Sequence, residues 1–147
     1  TDYDRILDVS LRGTLYMSQA VLPAMKQQQS GSIVCISSVS AQRGGGIFGG
    51  PHYSAVKAGV LGLARAMARE FGNDGIRVNC ITPGLIETDI TQGKLSPEKK
   101  KEISDTIPLN RLGRADDVAG ACVFLGSDLS AYCTGITLDV NGGMLIH

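Results

Sequence analysis

The 147-residue chain has no apolar run near the roughly 20 residues needed to cross a bilayer. It begins at Thr1 and shows no charged-then-apolar leader. Fourteen basic residues balance fourteen acidic ones, so net charge is zero, and no basic stripe is offered to a nucleic-acid backbone. No two cysteines stand in C-x-x-C spacing, and the two histidines, His52 and His147, are too scattered to complete a metal site. A G-x-G-x-x-G after a strand is also missing. Gly44-Gly45-Gly46 and Gly49-Gly50 follow an apolar run, but at the wrong spacing for a dinucleotide fingerprint. These absences point away from membranes, nucleic acid and metal. Cys35, Cys80, Cys122 and Cys133 stand singly and read as buried small apolar residues, which suits a reducing cytoplasm.

What the chain does have is glycine, 19 residues of it, five of them between 44 and 50. They lie in a long stretch from Ser37 to Lys57 around which the chain is organised. Ile33-Val34-Cys35-Ile36 leads into it and reads as a buried strand. A helical pattern runs from Tyr53 to Phe71. Between them the glycine-rich segment has no periodicity, and a structureless loop of that length is usually functional or disordered. Tyr53 and Lys57 are four apart, so a helix puts them on one face. They are either incidental neighbours on an amphipathic helix or an acid-base pair. An ammonium at ~4 Å in an effective dielectric of ~20 favours phenolate by roughly 4 kcal/mol. That is enough to bring a phenol from its usual value of about 10 toward neutrality, where it can exchange a proton with an alcohol or carbonyl oxygen. Ser38 can add a hydrogen bond to the same oxygen; Ser37 and Ser40 are neighbours that compete for that part.

Three segments carry a resemblance. They are Ile36-Ser37-Ser38; Tyr53-Ser54-Ala55-Val56-Lys57-Ala58-Gly59; and Ile76-Arg77-Val78-Asn79-Cys80-Ile81-Thr82-Pro83-Gly84. The tail continues it with Gly113-Arg114-Ala115-Asp116-Asp117-Val118-Ala119, Phe124-Leu125-Gly126-Ser127-Asp128, Thr134-Gly135-Ile136 and Asn141-Gly142-Gly143. In order and over nearly the whole chain, these resemble the short-chain dehydrogenase/reductase (SDR) family. The resemblance implies an α/β fold, the C-terminal part of a doubly wound parallel-sheet Rossmann-like domain. It implies hydride transfer between NAD or NADP and a secondary alcohol or ketone, such as a sugar, polyol or 3-oxoacyl substrate. Tyr53 would be the acid-base, and Lys57 would tune it and hold the nicotinamide ribose. Ser38 matches the substrate-binding serine, in a loop somewhat longer than the family's. Pro83, Gly84, the backbone at Ile86 and the hydroxyl of Thr88 would meet the nicotinamide. Val9-Ser10-Leu11-Arg12-Gly13 stands where the family has Val-Asn-Leu-x-Gly, so Ser10 replaces the asparagine that holds a water beside the lysine. A homotetramer, or a homodimer, is implied as well.

Family members carry the glycine turn in an N-terminal half that is missing here. Residues 1–147 are therefore expected to be the C-terminal portion of one domain, inactive alone. Other readings remain: a non-catalytic NAD(P) sensor on the same fold, left open by Ser10, or an epimerase or dehydratase using the same Tyr-Lys pair.

Elsewhere, residues 2–28 read as one helix with a broad apolar face of Ile6, Val9, Leu11, Leu15, Met17, Val21, Leu22 and Met25. Pro23 is expected to kink or divide it. Residues 32–36, 76–81 and 136–140 read as strands, the first buried on both faces. Residues 89–110 read as a mobile lid with a helix start at Ser96-Pro97-Glu98. In that lid Ile103, Ile107 and Leu109 touch substrate or merely anchor the segment. Asp139 reads as structural.

Overall fold

The computed structural model describes residues 2–89, 91 and 93–147. A helical rod opens the chain: α1 (Asp2–Ile6), a π-helical turn (Leu7–Arg12) and α2 (Gly13–Gln28). The π turn is marked by the Gly13 N–H donating to the Asp8 carbonyl, five residues back. Pro23 does not divide α2, which runs on to a left-handed Gln29 cap. β1 (Gly31–Ile36) follows, then α3 (Ser40–Arg43), α4 (Pro51–Phe71) and β2 (Ile76–Pro83). The supposedly structureless loop thus contains a helical turn, α3. β3 (Ile86–Glu87), α5 (Pro97–Asp105), β4 (Gly113–Arg114), α6 (Ala115–Gly126) and β5 (Thr137–Val140) complete the chain.

The main sheet is parallel, in the order β1-β2-β5, with Cys35 beside Cys80 and Ile81 beside Leu138. A parallel neighbour needs a crossover, and α4 provides it between β1 and β2. β2 is the central strand and the most buried: Val78, Asn79, Ile81 and Thr82 are fully enclosed. α4 turns Val56, Val60, Leu61, Ala64, Met67, Ala68 and Phe71 inward against it. Burying each of the larger of these contributes about 2 kcal/mol.

Burial on both faces was expected of β1 and belongs to β2 instead. Within residues 1–147 β1 has β2 on one side only, and Cys35 is its only fully buried residue. The apolar face of the first helix is likewise narrower than its pattern suggests. Leu22 is buried and Leu11 and Met25 pack on the core, but Val9 (71 %) and Met17 (69 %) are exposed. They border a groove between α2 and the open edge of β1. Cys35 and Cys80 are buried free thiols, while Cys122 and Cys133 are only half-buried.

Polar ties fasten β2 to the end of α6 and the turn before β5. The Arg77 guanidinium donates to the Ser130 hydroxyl at 2.9 Å and to the carbonyls of Leu125 (3.0 Å), Ser127 (3.2 Å) and Cys133 (3.3 Å). Asn79 donates to the Cys133 carbonyl and accepts from the Ile136 N–H. Asp139 is indeed structural: it accepts from Gln42 Nε2 at 2.9 Å and from the Thr82 hydroxyl, and pairs with His147 at 3.2 Å.

β3 and β4 form a second small parallel sheet. Beside it α5 starts where expected, Ser96 Oγ accepting from the Lys99 N–H at 3.2 Å. Ile103 and Ile107 are anchors, packed with Leu112 against Leu85, Leu95 and Met144, whereas Leu109 is 64 % exposed. Of the segment read as a lid, Ile90 and Gln92 lie outside the described residues.

Candidate active site

Ligands in open parallel sheets bind beyond the carboxyl ends of the strands. At that end of β1 the chain enters Ser37 and Ser38. The ladder to β2 continues past the strand, with Ser37 N–H donating to Ile81 O at 2.8 Å and Val39 N–H to Pro83 O at 3.0 Å. The two serines divide their labour. Ser37 is buried and spends its hydroxyl on the Lys57 main-chain carbonyl at 2.7 Å, which pins α4 to the sheet. Ser38 accepts from the Ser40 N–H at 3.1 Å, which commits one lone pair and leaves its proton free to donate.

α4 starts at Pro51, a residue with no N–H to leave unpaired at a helix start. Tyr53 follows in the first turn and Lys57 one turn later, on the same face. The Lys57 ammonium lies 5.9 Å from the centroid of the Tyr53 ring. It also donates to the Ile36 carbonyl, the last of β1, at 3.1 Å. Burial holds the Lys57 ammonium below its ordinary value, and the thiol of Cys80 pulls the other way. Strand end and serine turn therefore meet α4 at Lys57, with Tyr53 one turn before it.

Ser10 belongs to this neighbourhood too. It sits half-buried in the π turn and lines, with Lys57 and Ile36, a groove of about 630 Å³ along the β1 edge. Its carbonyl accepts from the Thr14 hydroxyl at 2.6 Å.

Pro83 closes β2, and Gly84 donates its N–H to Val140 O at 2.9 Å. A Cβ on Gly84 would sit 2.9 Å from the Asn141 Cα, so only glycine fits that crossing. Ile86 pairs with Gly113. Thr88 is exposed, in a turn that the sequence reading does not single out. Thr91, which is buried, accepts from the Thr88 N–H at 3.0 Å and donates to its carbonyl at 2.8 Å. The signal was present as a Thr-x-x-Thr spacing. A cavity of about 290 Å³ adjoins this segment, walled by Gly84, Ile86, Arg111, Asp117, Asp139 and Asn141. Arg111 and Asp117 form a two-pronged ion pair at 2.7 and 2.9 Å. Arg111 and then the Arg114 N–H hold the Asp117 carboxyl well below the usual carboxylate range.

Another close approach was not visible in the residue pattern. A Cβ on Gly49 would lie 2.5 Å from Cδ1 of Tyr53, so the loop backbone rests directly on that ring. Among the described residues no helix is long and apolar enough to cross a membrane. Nor, among them, is any group of three or more His, Cys, Asp or Glu placed to hold a metal ion.

Comparison with known proteins gives consistent relatives. Residues 1–145 match the family model described as enoyl-(acyl carrier protein) reductase. An uncharacterized short-chain type dehydrogenase/reductase of Sinorhizobium fredii is 67 % identical over 146 residues, 99 % of this chain and 58 % of that protein. The 3-oxoacyl-[acyl-carrier-protein] reductase of Thermotoga maritima is 43 % identical over 99 % of this chain and 58 % of its own. The crystal structure of a 3-oxoacyl-[acyl-carrier protein] reductase from Brucella melitensis superposes with a TM-score of 0.93 at 36 % identity, over 99 % of this chain and 54 % of that one. A structure described as a 2-deoxy-D-gluconate 3-dehydrogenase of Agrobacterium tumefaciens, with bound NADP, gives 0.89 at 38 % identity, over 97 % and 58 %. The chain thus spans little more than half the length of these relatives. The motifs, the parallel α/β sheet and these matches agree: the chain belongs to the short-chain dehydrogenase/reductase family.

Proposed function

We propose that the full-length protein is an NAD(P)-dependent oxidoreductase acting on a secondary alcohol or ketone. One observation carries this reading. A phenol and an ammonium stand one helical turn apart, and the ammonium is bonded to the last carbonyl of β1 beside the Ser37-Ser38 turn. Tyr53 passes a proton to or from the substrate oxygen. Lys57 stabilises the negative charge on the phenol oxygen once its proton has left. Ser38 donates to the substrate oxygen and holds it in place.

The residues present suit the nicotinamide end of the cofactor. Lys57 reaches an open groove, Thr88 presents an exposed hydroxyl, and Pro83, Gly84 and Ile86 bring main chain to the same strand end. Tyr53 and Lys57 would hold the ribose. When bound, the nicotinamide supplies or takes the hydride. Ser10, on the same groove as Lys57, can hold a water that links the ammonium to solvent. In this reading residues 1–147 form the C-terminal portion of one Rossmann-like domain. The whole is a cytoplasmic homotetramer or homodimer. Ala55, Ala58 and Gly62, exposed on α4, allow the close helix approach that such an assembly needs.

The test is Tyr53→Phe in the full-length protein. Turnover should vanish while NAD(P) still binds; retained turnover removes Tyr53 from the mechanism. A wild-type protein that binds NAD(P) but turns over no sugar, polyol or 3-oxoacyl thioester would instead be the sensor. Ser10→Ala with unchanged turnover at every pH would end its part in the relay.

A further inference from the structure

The helical turn α3 (Ser40–Arg43) is too short to persist by its own hydrogen bonds, so its place depends on what ties it down. It is bonded directly to Ser38. Ser40 N–H donates to Ser38 Oγ at 3.1 Å, and Ala41 N–H to the Ser38 carbonyl at 3.0 Å. The direction of the Ser38 hydroxyl therefore follows the placement of this turn.

Gln42, in the same turn, reaches across to β5. Its Nε2 donates to Asp139 Oδ1 at 2.9 Å. That oxygen also accepts from the hydroxyl of Thr82, which is fully enclosed. His147 Nε2 lies 3.2 Å from Oδ2, so both oxygens of the carboxylate are engaged. Pro83 follows Thr82, and its carbonyl accepts from Val39 N–H at 3.0 Å. These bonds close a ring that runs from Val39 through Gln42, Asp139 and Thr82 to Pro83 and back. Ser38 and Gly84 stand just outside it, one at each end of the Val39–Pro83 bond. The ring thus joins the serine turn to the Pro-Gly turn.

The other end of the Gln42 amide, Oε1, is buried and has no partner among the described residues. A glutamine pointing into water would avoid that cost. The charge-assisted bond to Asp139 offsets it and keeps the side chain inward.

We propose that Gln42 is a positioning residue for the reaction. Anchored on Asp139, it fixes α3 and thereby the angle at which the Ser38 hydroxyl meets the substrate oxygen. This deepens the oxidoreductase reading above and rests on it.

The test is a double-mutant cycle in the full-length protein: wild type, Gln42→Met, Ser38→Ala and the two together. Methionine keeps the length of the arm and removes the donor. Turnover of an acetoacetyl thioester is followed by NAD(P)H absorbance, and exchange of the Ser40 amide by NMR. Gln42→Met should lower kcat at least tenfold, with KM for NAD(P)H within twofold. With Ser38 already alanine, the same substitution should change kcat less than twofold. Ser40 exchange should rise at least tenfold in Gln42→Met, with the amides of Val78 and Cys80 unchanged. A tenfold loss that persists beside Ser38→Ala, an unchanged kcat, or exchange that rises equally through β2 overturns the proposal. If the wild type turns over no 3-oxoacyl thioester, sugar or polyol, selective exchange at Ser40 sustains the hold on Ser38 and removes the redox reading. Turnover with Ser40 protection unmoved does the reverse.

Discussion

Lys57 Nζ donates to the carbonyl of Ile36 at 3.1 Å while lying 5.9 Å from the centre of the Tyr53 ring. One ammonium thus joins the edge strand to the helix that carries the phenol. Its position is set by its bond to the last carbonyl of β1.

Burial lowers the Lys57 value, so between its folded value and the ordinary ~10.4 the unfolded chain binds more protons than the folded one. Stability therefore rises with pH through that window. In Lys57→Met this rise should shrink, while turnover of the full-length protein is lost. Urea midpoints measured from pH 7 to 10 in both proteins check it; identical slopes would contradict the burial of the ammonium.

Gly49→Ala puts a methyl group into the Tyr53 ring and should move it. Misplacement of a reacting group by ~1 Å can cost 10²-fold. We expect kcat to fall tenfold or more on every substrate alike, with NAD(P) affinity retained. Unchanged kcat would show that the loop gives way instead of the ring.

Arg77 has four acceptors and adds to the Ser127 cap at the end of α6. Arg77→Ala leaves the carbonyls of Leu125, Ser127 and Cys133 short of that donor, at about 2–3 kcal/mol. Arg77→Lys should recover only part, because an ammonium cannot reproduce the planar fork. Chemical denaturation of the three proteins measures the series.

Asp117 is held below the usual carboxylate range by Arg111 and the Arg114 N–H. A depressed carboxylate contributes stability that is present above its unfolded value, ~3.9, and lost as pH falls through the folded one. Asp117→Asn should therefore lower the thermal midpoint at pH 7 and converge on the wild type in strong acid. A constant offset at all pH values would assign the effect to packing.

Residues 1–147 contain no glycine turn of dinucleotide spacing to hold a pyrophosphate. We expect this segment by itself to bind NAD(P) weakly or not at all, and to be inactive. Micromolar binding in calorimetry would refute that.

The site was legible wherever chemistry and spacing coincide. Tyr53 and Lys57 stand at i and i+4 in a strongly periodic helix, and the strand before Ser38 ends in a run with no polar break. Harder to see was anything decided by which neighbour is present. Val9 and Met17 look like core, yet α4 and β1 cover a single stripe of the rod. The rest of Gly49 on Tyr53 is a contact between a loop and a ring, and no periodicity records it.

The π turn at Leu7–Arg12 fits one more residue into its coil than an α turn would. That surplus acts as a phase shift of about 100° for everything before it. α1 meets α4, and Ser10 opens onto the groove, at the angle the surplus sets. Shortening this stretch by a single position would let the rod wind evenly and swing Asp2–Ile6 round its axis, uncoupling the start of the chain from the helix that bears the phenol.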